Sequence, residues 1–265
     1  MAQQIRFFEK NKGDFSDPAV VVTASQGNEY ADRATDRNDG TAWMTTGSVD
    51  ADNTTFEMDF GDTKRIDSIL LLKHNFKSYE VQYWDGASWT NFGTDIDETS
   101  YSAESSFHQF AAVETTKVRL TIRGTQTADE EKYLYQFIAT EEIGQFAGWP
   151  QIKKPTLSRN RLRTKMLSGK ETIREQIGAF SCQLTVSTLR DSADLDIIER
   201  LHYQNQGFLV WLSGGDETQF SSVRRGYRLE DLYLCKVAGE LVNEFYQGIY
   251  ANGVIVKFDL VEVVD

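Results

Sequence analysis

The side chains that could run a reaction are present in this chain, but their spacing assembles none of the familiar machinery. Its three histidines, His74, His108 and His202, stand apart in the sequence, and none belongs to a pair spaced to share a zinc ion. An H-E-x-x-H pair, a G-x-S-x-G nucleophile turn and a P-loop are all missing. Gly214 and Gly215 signal a turn, yet the lysine and helix that a phosphate cradle needs do not follow them. The 40 Asp and Glu residues could supply a glycosidase pair, but nothing in their spacing singles out two. Cys182 and Cys235 lie in strand-like apolar runs and read as buried free thiols, not as a disulfide framework. No catalytic residue is assigned, and the expectation is a protein that is not an enzyme.

One charge pattern does stand out. From Lys153 to Arg174 there are eight basic residues and a single acid, Glu171. Arg159, Arg161, Arg163, Lys165, Lys170 and Arg174 are therefore candidates for an interface with an acidic neighbour, set against the plainer reading of a solvated hairpin face. The rest of the charge is lopsided. Residues 1–144 hold 13 Lys and Arg against 25 Asp and Glu, which accounts for the whole net charge of −12; the remainder holds 15 of each. An acidic first half repels phosphate backbones and anionic lipid, so nucleic acid is not an expected partner. No run of 18 apolar residues occurs, so no membrane insertion is expected. The opening MAQQIRFFEKNKGDF lacks the apolar core of a secretory signal, and folding in a reducing cytosol is the expectation.

The elements that would position these groups read mostly as strands. Phe56, Met58 and Phe60 alternate with Glu57 and Asp59; Tyr79, Val81 and Tyr83 alternate with Glu80 and Gln82; Val118, Leu120 and Ile122 alternate with Arg119 and Thr121. A period of two puts one set on a core face and the other in solvent. Asp-Gly and Gly-Asp turns punctuate these runs at short intervals, which predicts an all-β sandwich or jelly roll over residues 1–144. Two glycines and Pro150 around aromatics then suggest a short packed linker over 145–158, with Pro155 restricting it further. Residues 159–265 change character. A long hairpin (159–167 and 171–187, turning at 168–170) precedes one helix near 192–205, with Asp191 or Ser192 as its cap and Gly207 at its end. Strands follow at 208–212 and near 231–237, 241–249 and 253–263, predicting a small α+β antiparallel sheet.

The stretch ATDRNDGTAWMTTG (34–47), followed by FEMDFGD (56–62) and SYEVQYWDGASW (78–89), resembles the discoidin-like domains: the C domains of coagulation factors V and VIII and the family 32 carbohydrate-binding modules. The resemblance covers roughly the first 145 residues and implies a jelly roll that binds without catalysing. It also implies a structural calcium ion, with Asp36, Asn38 and Thr41 as loop ligands and Glu141 or Glu142 from the last strand completing the cage. The order Asn38-Asp39-Gly40 departs from the family pattern, and a metal-free turn held by side-chain hydrogen bonds is the competing reading. Trp43 reads as core. By the same resemblance, recognition belongs to loops near 26–32, 45–53, 75–77 and 124–132.

The second half is similar to the tail-tube-like domain of phage distal tail and baseplate ring proteins. The residues that carry this likeness are RNRLRTKMLSGKETIREQIGAFSCQLTV, DLDIIERLHYQNQ running into FLVWLSGG, and the closing VIVKFDLVEVV. It implies a ring, expected to be a hexamer, built from copies of the chain and joined to tube and hub proteins in a phage virion. The combined expectation is a distal-tail-like structural component carrying a peripheral discoidin-like domain that touches cell-surface glycans. The alternative is a carbohydrate-binding, lectin-like protein with no ring-forming role.

Overall fold

Alternation of apolar and polar side chains decides the architecture of both halves. The computed structural model describes residues 5–38, 40–47, 50–146, 150–165, 171–189, 192–204, 207–212, 232–245 and 253–263, and the side chains among them except at 94–95, 154–165, 171–178, 189 and 240–245. They form two units. One is built on Phe8–Glu142; the other takes the strand residues before Phe8 together with Ile143–Gly214 and Tyr233–Asp265.

In chain order the strands are β1 (Arg6–Glu9), β2 (Val21–Ala24), β3 (Trp43–Met44), β4 (Thr54–His74), β5 (Phe76–Trp84), β6 (Trp89–Glu98), β7 (Ser106–Thr125), β8 (Tyr133–Thr140) and β9 (Glu142–Gln145). The antiparallel sheet of the first unit runs β3-β8-β4-β7-β5-β6, with β2 on β4. Its core is a single cluster in which Phe56, Met58, Phe60 and Ile66 of β4 face inward with Ile69 and Leu71. The switch from even to odd positions falls at the register irregularity between Ile66 and Ser68. β7 advances four residues there against two on β4, an irregularity of the kind that bends a strand pair and re-aims its side chains. The mainly β sandwich expected from the alternation is what forms.

The second unit continues with β10 (Gln151–Lys165), β11 (Glu171–Leu189), helix α1 (Ala193–Tyr203), β12 (Phe208–Trp211), β13 (Leu232–Phe245) and β14 (Gly253–Glu262). Its sheet runs β10-β11-β14-β13-β12-β1-β9. The predicted helix buries Ile197, Ile198 and Leu201 in the core, with Leu195 packed beside them. Ser192 stands at its start, but its hydroxyl pairs with Thr188 Oγ1 at 2.6 Å instead of capping a backbone N–H. Cys182 and Cys235 are buried and free, and burial pushes the Cys182 thiol up to about 12.

The structure replaces the expected linker. Phe146 is buried against Phe7, ring centroids 4.9 Å apart, and from Gln151 onward residues 151–158 are strand. Pro155, taken as a breaker, lies at the irregularity between Lys153 and Thr156 on a strand at the sheet's edge. A missing N–H is tolerated there because no ladder bond depends on it.

Two histidines of the first unit sit inside it. His74 is fully buried, stacks on Phe76 at 4.7 Å, and accepts the Phe76 N–H at Nδ1 (3.1 Å). His108 Nε2 and the Tyr79 hydroxyl share a hydrogen bond of 2.9 Å. Burial, with His108 adding a smaller repulsion, holds His74 near 3; burial alone holds His108 near 4. Both values are depressed below the unfolded value, so the unfolded chain takes up these protons first. Stability is then level above about pH 6.5 and falls as the pH drops toward 4, by about 1.4 kcal/mol per unit for each histidine. Urea midpoints measured from pH 7 to pH 4.5 should show that decline, and His74→Phe should cut its slope to about half, with His108 supplying the rest; an equal slope in the variant would remove His74 from the account.

Candidate functional site

Three of the four loops expected to recognise a ligand are tied into one surface at one end of the first unit. Lys132 is the tie between β8 and loop 45–53. It has no exposed surface, and its Nζ donates to the Asp52 carbonyl (2.5 Å) and to Thr54 Oγ1 (3.1 Å). Its backbone pairs with Thr45 in both directions: its N–H donates to Thr45 Oγ1 (2.9 Å), and its carbonyl accepts the Thr45 N–H (2.9 Å). Burial pulls the amine below its ordinary pKa, and the Asp50 and Asp52 carboxylates oppose that shift.

Asp50 locks loop 45–53 onto the end of β7. Its Oδ1 accepts from the Thr125 N–H (3.1 Å) and hydroxyl (2.9 Å), and its own N–H donates to Asp129 Oδ1 (3.0 Å). Desolvation acts to raise its pKa, but these hydrogen bonds outweigh it and keep the carboxyl below its usual range. Asn75, buried between β4 and β5, closes the third side. Its amide donates to the Glu131 carbonyl (2.8 Å), its side-chain oxygen accepts from the Tyr133 N–H (3.1 Å), and its carbonyl accepts from the Gln126 N–H (2.8 Å). The fourth loop, 26–32, comes against β3. Gly27 has φ +62°, and a Cβ there would lie 2.1 Å from the Met44 carbonyl oxygen, so only glycine fits.

Beside these loops an apolar patch faces outward. Trp43 and Leu134 pair inward across β3 and β8, which leaves Met44 and Tyr133 opposite each other on the outer side. Tyr135 follows two residues on, its ring 6.2 Å from that of Tyr133, and Lys73 Nζ lies 3.9 Å from the Tyr135 ring centroid. Met44 is 43% exposed. This arrangement sets an exposed methionine, two half-buried tyrosine rings and an ammonium side by side on the outer surface. Sequence reasoning passed over Tyr133, Tyr135 and Lys73, although the alternation in YLYQF carried the signal. Trp43 itself is core, as expected, with its indole N–H on the Gln26 carbonyl at 3.1 Å.

The residues expected to hold calcium are engaged differently. Asp36 Oδ1 accepts from the Asn38 N–H (2.8 Å) and more distantly from Gln136 Nε2 (3.4 Å), and its Oδ2 accepts from the Thr41 hydroxyl (2.8 Å). Asn38 Oδ1 accepts from the Gly40 N–H (3.0 Å). Glu142 meets another set of partners: the Gln109 amide donates to its side chain, and its own N–H donates to Asp67 Oδ1. Among the described residues, no three His, Cys, Asp or Glu side chains converge on a point that could hold a metal ion. Asp36, Asn38 and Thr41 are thus hydrogen-bonded within one turn, the arrangement of the competing metal-free reading.

Of the interface candidates, Arg159, Arg161, Arg163 and Lys165 fall on β10 and Arg174 on β11, paired in register with their side chains outside the described set; Lys170 lies outside the described residues. The turn reading makes a direct prediction. Asp36→Ala should cost about 1–2 kcal/mol through lost hydrogen bonds. The drop in melting temperature should be the same in calcium and in chelator, and a drop seen only with calcium would restore the metal.

Residues 19–133 match the F5/8 type C domain family. No curated protein matches the chain. Solved structures similar to part of it include a mutant of chitosan-binding module 1 from a chitosanase/glucanase of Paenibacillus sp. IK-5, at 20% identity and TM-score 0.42, over 50% of this chain and 98% of that one. Another is the CpGH89CBM32-6 module produced by Clostridium perfringens, at 17% identity and TM-score 0.40, over 49% and 98%. A third is CpGH89CBM32-5 of the same organism, in complex with GalNAc-beta-1,3-galactose, at 16% identity and TM-score 0.38, over 46% and 94%. The family match starts just before β2, ends as β8 begins, and takes in all four loops, so the first unit carries an F5/8 type C, discoidin-like domain.

Proposed function

We propose that this chain is a carbohydrate-binding protein, and that the loop end of its F5/8 type C domain holds the sugar without transforming it. The observation that carries this reading is the family match over residues 19–133, which includes loops 26–32, 45–53, 75–77 and 124–132. The geometry supports it. Met44, Tyr133 and Tyr135 present apolar surface to the C–H face of a pyranose, while Lys73 and the loop amides reach its hydroxyls. An excess of acid in residues 1–144 favours neutral over anionic glycans. The absence of turnover is part of the proposal. His74 is buried and His108 half-buried, and both are held neutral above about pH 4, which leaves them poor proton shuttles near pH 7.

Titration calorimetry against a panel of neutral hexasaccharides tests the site. Tyr133→Ala combined with Tyr135→Ala should weaken binding at least tenfold while the melting temperature moves little. Undiminished affinity would place the sugar elsewhere.

A second reading concerns the second unit and rests on one observation: among the described strands, β10, 15 residues long, is the terminal one of its sheet. An edge of that length is a template for pairing with another copy. On this reading the chain closes into a ring, with six as the expected order, as part of a phage tail tip made in the host cytoplasm. Tube and hub proteins would be its partners, and the glycan-binding domain would ride on the ring. Light scattering should then give a multiple of the chain mass that Arg161→Glu with Arg163→Glu reduces to monomer; a monomer at high concentration without substitution would end this reading.

A further inference from the structure

We propose a second sugar-binding surface on the first unit, on the outer face of β5, β6 and β7, centred on Trp84 and Trp89. The proposal rests on reading this unit as a carbohydrate binder, but it uses none of the loop-end residues. Trp84 and Trp89 are register partners across β5 and β6, with ring centroids 5.5 Å apart at 68°. The core side of these strands is already filled: Val81 and Phe92 are buried, and Tyr83 packs on Phe92 at 5.2 Å. The two indoles therefore stand on the opposite, outer face, each only partly shielded.

Beside them is a run of hydrogen-bonding groups suited to hydroxyls. Arg119 of β7 lies with its Cζ 4.3 Å from the Trp89 ring centroid and donates from Nη2 to Gln82 Oε1 (2.7 Å). Gln82 Nε2 in turn donates to Asn91 Oδ1 (2.9 Å), and Asn91 is exposed. The register explains the cluster, because Gln82 opposes Asn91 on one side and Arg119 on the other.

Arg119 differs from the other cations on its face of β7. Lys117 pairs with Asp59 (2.7 Å), and Arg123 pairs with Glu80 (2.8 Å) and Asp97 (2.7 Å). Among the described side chains Arg119 has no carboxylate partner, and its shielded Nε–H has no acceptor. Indole faces beside amides and a guanidinium with donors to spare form the chemistry that stacks a pyranose ring and reads its hydroxyls. Glu57 stands opposite Arg119 across β4 and β7, and the unit is acidic throughout, so the occupant is a neutral glycan and not a uronate or a phosphate. The site is also distinct in position. β5 has its loop end at Phe76 and the tryptophan pair at its other terminus, eight residue steps or roughly 25 Å away. Two sites at that separation would let one domain hold a polysaccharide at two points along its length.

The test uses the full chain with neutral hexasaccharides of glucose, galactose and N-acetylglucosamine, read by titration calorimetry and by tryptophan fluorescence. The expected result is two sites per chain and a shift in emission on binding. Trp84→Ala should abolish the emission change and reduce the stoichiometry to one. Gln82→Ala with Asn91→Ala, which keeps both indoles and spares the fold, should weaken the same site at least fivefold. Tyr133→Ala with Tyr135→Ala should remove only the other site. One site per chain, unaffected by the Trp84 and Gln82/Asn91 variants, overturns this proposal and leaves the loop-end site standing. No binding of any hexasaccharide overturns both.

Discussion

A lysine with no exposed surface organises the loop end of the first unit. Taking an ammonium group out of water is costly unless acceptors replace the lost hydration. Lys132 meets that condition through the Asp52 carbonyl and the Thr54 hydroxyl, and its backbone is paired with Thr45 at the same time. The consequence is geometric. Residues on either side of Lys132 cannot move without dragging loop 45–53, and Asn75 and Asp50 extend the same constraint to the β4–β5 turn and the end of β7. Loops positioned this way need little ordering when a ligand arrives, which is where weak sugar contacts gain most.

The sandwich supplies the rest through a simple division. Inward positions of β4, β5, β7 and β8 fill the core completely, and that frees the outward positions for other work. Met44, Tyr133 and Tyr135 on one edge and Trp84 and Trp89 near the other are outward residues of strands whose inner faces are satisfied. Large apolar side chains placed there gain little from the core, and their retention beside polar groups is what a binding surface requires. The second unit has a core of its own and, among its described strands, a long edge strand.

How much of this could be read from the sequence follows from the range of the interactions. Alternation in 56–60, 79–83 and 118–122 is local, and the strands formed where it placed them. The helix was legible for the same reason, from Ile197, Ile198 and Leu201. The supposed linker was not, because Pro155 looks like a breaker until the edge strand that tolerates it is known. The site was legible only as a set of loops. Lys132 reads as one more surface charge in EEKYLYQ, since its partners Thr45, Asp52 and Thr54 are 78 to 87 residues away. The calcium expectation came from the resemblance of the 34–47 loop. Which hydrogen bonds Asp36 already accepts is decided by how the loop closes, and the resemblance could not supply that.

Amide hydrogen exchange in Lys132→Met is the most direct measurement of the central claim. Methionine keeps the side chain's bulk but cannot donate to Asp52 or Thr54, so loops 45–53 and 126–131 should exchange at least tenfold faster, with β4 amides near Phe56 and Met58 unchanged. Loops as well protected as in the parent protein would show that the buried amine does not hold the surface together.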